Sequence, residues 1–165
     1  MKPVVEDLVV RKNNFVKWLN LGFAVIFLSG IFIIKDDPWK NQWYALGGAL
    51  LFGGIYLNYA MYKIITTQDG FTIHSLFRPT LILWKEISAI NYFAKTGKSV
   101  ELILQITYGD SSKDLKLSAK QFKKQQMQRF FEMLNQQCNY ATKNDFFLKQ
   151  VAGELTWKNQ LKMLQ

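Results

Sequence analysis

Two stretches decide how this chain is read: WLNLGFAVIFLSGIFII at Trp18–Ile34 and WYALGGALLFGGIYLNYAMY at Trp43–Tyr62. They run for 17 and 20 residues without a charge. A helix needs about 20 apolar residues to cross ~30 Å of hydrocarbon, with about 17 the lower end. Read on length alone, residues 15–62 form a transmembrane helical hairpin. Trp18, Trp39, Trp43, Tyr44, Tyr59 and Tyr62 lie near the ends, where amphipathic rings favour a lipid–water interface. The competing reading is a pair of buried helices. It asks for a polar face on each, and neither stretch has one.

Flanking charge gives an orientation. Lys2, Arg11, Lys12 and Lys17 precede the first stretch, and Lys63 and Arg78 follow the second. The connection, KDDPWKNQ, carries Lys35 and Lys40. The excess outside the loop predicts both termini in the cytoplasm and a multi-pass protein of the cell membrane. Ala45, Ala49 and Gly53 recur every four residues. Small residues at that spacing are candidates for close helix packing, within the hairpin or with a second copy.

Beyond Tyr62 the period shortens. KIITTQDGFTIHSLF holds two strand-like runs around Gln68-Asp69-Gly70, a hairpin signal. Further runs follow at Leu81–Trp84, Ser88–Lys95, Val100–Tyr108 and Lys113–Ser118, each bounded by turn residues. Six short strands with a turn at each junction predict an antiparallel meander, either a small barrel or a sandwich. From Ser118 the period becomes helical, with Gln121 completing a capping box. Phe122, Met127, Phe130, Phe131, Leu134 and Cys138 form one apolar stripe, suited to closing the barrel.

The expected organisation is therefore an α+β membrane protein. It has a cytoplasmic segment at 1–14, the hairpin at 15–62, a β domain with capping helix at 63–140, and an amphipathic tail at 141–165. In that tail Phe146, Phe147 and Val151 suit a helix. Trp157, Leu161 and Leu164 suit an interfacial helix or a strap.

The 165 residues carry a net charge of +9. Residues 63–165 hold fifteen basic against eight acidic residues, or +7. Beside a membrane, this balance points to anionic lipid headgroups and away from nucleic acid. Lys85, Lys95 and Lys98 near strand ends and Lys120, Lys123 and Lys124 near the helix are the candidate lipid contacts.

Chemistry is absent from the pattern. His74 is the only histidine, and nothing in the sequence supplies it with a partner. No phosphate loop, GxGxxG, HExxH or GxSxG occurs. Asp36-Asp37 reads as a solvated turn. Cys138 is the only cysteine, which excludes an internal disulfide and falls on the apolar stripe. No enzyme, cofactor or metal site is expected.

From Tyr62 to Tyr140 the order of elements resembles a bacterial pleckstrin-homology-like domain. The resemblance rests on QDGFTI at Gln68–Ile73, LILWKEISAI at Leu81–Ile90, GDSSKDLKLS at Gly109–Ser118 and the terminal helix. It implies a seven-stranded half-open barrel behind a two-helix hairpin. Phosphoinositide-binding members carry a basic cluster between the first two strands. Here that turn is Thr66–Gly70, which has no basic residue. The expected function is a membrane-anchored, non-enzymatic binding or scaffolding module, with lipid, a protein or a second copy as partner. The alternatives are a subunit of a transport or channel complex, or an enzyme with an unrecognised site.

Overall fold

The computed structural model describes residues 7–33, 38–76, 78–95 and 100–155, with 31–33 and 38–41 as backbone only. The chain divides into two compact units. One comprises Met1–Arg11, Lys63–Ile73 and Pro79–Gln165, and the other Lys12–Tyr62 and His74–Arg78.

The first unit is built on two four-stranded sheets. One has the order β1-β2-β3-β4, formed by Val9–Arg11, Lys63–Thr66, Gly70–His74 and Thr80–Leu83. The other has the order β7-β6-β5-β8, formed by Lys113–Ser118, Glu101–Tyr108, Ile87–Lys95 and Thr142–Lys143. Period-two patterning places Leu102, Leu104 and Ile106 of β6 inside, while the residues between them are half-buried.

Gly70 is required by close approach. A Cβ there would meet Leu83 Cα at 2.8 Å, on the strand with which it pairs. The turn before it is held by Thr67 N donating to Gly70 O and Trp84 N donating to Asp69 O. Trp84 Nε1 also donates to Thr67 O.

Helix α3, Lys124–Gln137, buries Met127, Phe130, Phe131 and Leu134. That spacing puts all four on one face. Phe130 meets Phe71 of β3 edge-on at 5.3 Å, and Phe131 meets Tyr92 of β5 edge-on at 5.0 Å. One helix thus contributes aromatic contacts to both sheets. A short helix α4, Asp145–Val151, adds Phe147 against Phe131 at 5.7 Å.

Several expectations change here. The single antiparallel half-barrel gives way to two sheets, one of them mixed because β8 runs parallel to β5. Strand β1 arises in the N-terminal segment, its Val10 paired with Ile64 and fully buried. The capping box does not form, because a 3-10 turn at Ala119–Gln121 intervenes and Ser118 makes no side-chain cap.

The second unit is a pair of helices, α1 at Asn14–Ile33 and α2 at Pro38–Met61. Pro38 opens α2, a position its fixed φ suits. Phe23 and Phe27 of α1 lie against Phe52 of α2 at 5.1 and 5.5 Å.

The transmembrane hairpin is overturned. Among the described residues no helix is long and apolar enough to cross a membrane. Asn14, Lys17 and Asn20 open α1, and α2 dilutes its leucines with Gly47, Gly48, Gly53, Gly54, five tyrosine and tryptophan residues and Asn58. An uncharged run is not the same as a strongly apolar one. The membrane-protein fold class, multi-pass placement in the cell membrane and cytoplasmic orientation of both termini fall with it.

Candidate functional surfaces

The helix pair carries an unusual surface. Phe15, Trp18, Leu19, Phe23, Val25, Ile26 and Leu28 are exposed on α1. Trp43, Tyr44, Leu46, Leu50, Leu51, Leu57 and Met61 are exposed on α2. Phe15 is 72% exposed, Tyr44 77% and Leu50 69%, so these are not partly covered core residues. At 3.6 residues per turn the α1 set sweeps more than half of that helix's circumference. Buried-helix packing in this unit is therefore limited to the facing sides, where Ala24, Ala45 and Ala49 are almost fully covered.

The small-residue motif splits in two. Ala45 and Ala49 are buried, whereas a Cβ on Gly53 would meet nothing within 4 Å. The glycine in close contact is Gly48, whose Cβ would come within 2.7 Å of three Phe27 ring atoms. The four-residue spacing does not single out Gly48, which lies one position from it.

Two lysines lie against aromatic rings at the end where α1 starts and α2 finishes. Lys12 Nζ is 4.3 Å from the Tyr59 ring centre and 4.2 Å from that of Tyr62. Lys17 Nζ is 5.0 Å from the Trp18 ring and 5.9 Å from that of Tyr56. These are attractive cation–ring geometries. Burial lowers the Lys12 pKa from its ordinary value. The lysine candidates named from sequence did not include this pair.

Those candidates lie elsewhere. Lys85 is exposed in the 3-10 turn Trp84–Glu86, and Lys95 is exposed at the end of β5. Lys120, Lys123 and Lys124 are exposed around the start of α3, with Lys120 Nζ donating to Val100 O. Lys98 lies outside the described residues, as do Asp36-Asp37 and the 156–165 stretch with Trp157, Leu161 and Leu164.

No reactive centre is assembled among the described residues. No group of His, Cys, Asp and Glu there could hold a metal ion. Cys138 is fully buried, and burial pushes its thiol up to about 11. A thiol so placed stays protonated and unreactive at neutral pH. Asp114 has its pKa lowered by accepting hydrogen bonds from the Thr107 hydroxyl and the Gln105 amide, both 2.8 Å. That set braces β6 against β7.

No protein-family model, curated protein or solved structure matches this chain. The resemblance to bacterial pleckstrin-homology-like proteins with a transmembrane hairpin is accordingly corrected. It rested on short degenerate segments whose order many α+β chains can share, and on a spanning hairpin that the helices do not supply.

Proposed function

We propose that this chain is a non-enzymatic binding module that attaches to a lipid bilayer through the exposed apolar surface of α1 and α2, with the β unit as its scaffold. The observation that carries the reading is the angular spread of exposed apolar side chains on α1. A protein partner or a second copy covers one side of a helix. A fluid apolar phase covers every side turned away from the helix partner. Each large side chain removed from water contributes about 1.5–3 kcal/mol, so exposure on this scale favours an apolar environment strongly. Such attachment requires exposed apolar area and no membrane-crossing helix. The exposed Lys85, Lys95, Lys120, Lys123 and Lys124 add diffuse attraction to an anionic surface.

The test is flotation of the full chain with phosphatidylcholine vesicles after detergent removal. The reading expects co-flotation, and expects Ile26→Glu with Leu50→Glu to abolish it. Both positions are exposed, so neither change disturbs a core. A wild-type chain that stays unbound as a discrete dimer would assign the apolar surface to a second copy.

A further inference from the structure

We propose that Lys12 and Lys17 form a collar that binds the phosphate of anionic lipid headgroups. This inference rests on the lipid-attachment reading above and names the headgroup contact within it.

Three observations lead to it. The two ammonium groups sit at one end of the helix pair, where the start of α1 meets the end of α2. Exposed apolar side chains begin beside them, at Phe15 and Trp18 on α1 and Met61 on α2. The lysines therefore mark a boundary between polar chain and apolar surface, which is where headgroups lie once that surface enters lipid.

The second observation is how the ammonium groups are held. Lys12 touches two tyrosine rings at nearly equal distances, which fixes the position of a side chain that ordinarily samples many rotamers. An aromatic ring attracts a cation without neutralising it. Among the described residues neither lysine is paired with a carboxylate, so each has hydrogen-bond donors left for an incoming anion.

The third is the rings themselves. Trp18, Tyr56, Tyr59 and Tyr62 have apolar bodies and a polar tip, the side-chain type that settles at an interface. One cluster thus supplies both the interfacial rings and the cations. Among the described residues Lys123 and Lys124, exposed at the start of α3, lie over no aromatic ring. They contribute attraction without a place for the phosphate.

Flotation of the full chain on two vesicle compositions tests the collar. One is phosphatidylcholine alone, and the other includes a quarter phosphatidylglycerol. The expected wild-type preference for the anionic vesicle falls ~5-fold per lysine removed, or on the order of 25-fold in Lys12→Gln with Lys17→Gln. The double variant should still float with phosphatidylcholine. Arginine at both positions should restore the preference, since it keeps the charge and stacks on rings. Lys120→Gln, Lys123→Gln and Lys124→Gln together should reduce the preference less than the collar pair.

Equal wild-type binding to both vesicles would overturn the collar and leave lipid attachment standing. Failure to float with either vesicle would overturn lipid attachment, and the collar with it. A preference that survives the double glutamine variant, or that the α3 triple variant removes as fully, would also overturn the collar. Release by inorganic phosphate beyond a chloride control of equal ionic strength would assign the lysines to a soluble phosphate.

Discussion

The side-chain amide of Asn144 makes a two-way hydrogen bond with the main chain of Tyr92. Its Oδ1 accepts from Tyr92 N at 3.0 Å, and its Nδ2 donates to Tyr92 O at 2.9 Å. The parallel pairing of β8 with β5 ends at Ile90↔Lys143, so the side chain continues the ladder where the backbone leaves it. The same Oδ1 accepts from Phe147 N at 3.0 Å and caps α4. Asn144→Ala removes a helix cap, worth about 1 kcal/mol, and two edge bonds of about 0.5–1.5 kcal/mol each. Chemical denaturation should show a loss of roughly 2–4 kcal/mol. A loss under about 0.5 kcal/mol would show that water replaces the amide without cost.

Phe130 is completely buried and meets Phe71 edge-on. Phe130→Ala should cost about 3–5 kcal/mol, as large buried aromatics do. Glu132 is exposed on the same helix, and Glu132→Ala should change stability by less than ~0.5 kcal/mol. Equal effects at the two positions would contradict the assignment of the buried face.

Gly48 and Gly53 should behave oppositely. A side chain at Gly48 strikes the Phe27 ring, whereas one at Gly53 enters open space. Gly48→Leu should separate α1 from α2, read as increased protease cleavage in residues 12–62. Gly53→Leu should leave cleavage unchanged. The reverse pattern would place the helix contact on the four-residue motif.

Cys138 gives stability a pH dependence. Its ordinary pKa of 9.0 is pushed up to about 11 in the folded chain. The folded thiol therefore keeps its proton where the unfolded one has lost it. Stability from this group is unchanged below about pH 9 and falls as pH rises from 9 toward 11. The loss approaches on the order of 2–3 kcal/mol. Cys138→Ala should flatten that part of the profile, measured by denaturation at pH 8 and pH 10. An identical slope in the variant would contradict the assignment.

Parts of this architecture are visible in the amino-acid order, and the reasons are local. Strands β2 to β7 carry period-two patterning or turn residues, and the α3 stripe is spaced at three and four. Strand β1 has three residues and finds its partner more than fifty positions away, so no local period marks it. Strand β8 has two residues and depends on the Asn144 contact to Tyr92. Ser118 misleads because it ends β7 before a 3-10 turn. The uncharged runs at 18–34 and 43–62 mark helices. Counting length without weighing glycine, tyrosine and asparagine overstates them as spans. The Lys12 and Lys17 clusters are invisible in the sequence because they need the start of one helix beside the end of another.

Lipid is proposed to cover the surface of α1 and α2. Fluorescence quenching by bromine on phospholipid acyl chains measures this directly. Trp18 and Trp43 are exposed on the helix pair, while Trp84 is buried in the β unit. Three single-tryptophan variants, with the other tryptophans replaced by phenylalanine, report each position in turn. Brominated vesicles should quench Trp18 and Trp43 strongly and leave Trp84 close to its value on unbrominated vesicles. Quenching of Trp84 equal to theirs, or none at Trp18 and Trp43 in vesicle-bound protein, would rule out attachment through the helix pair.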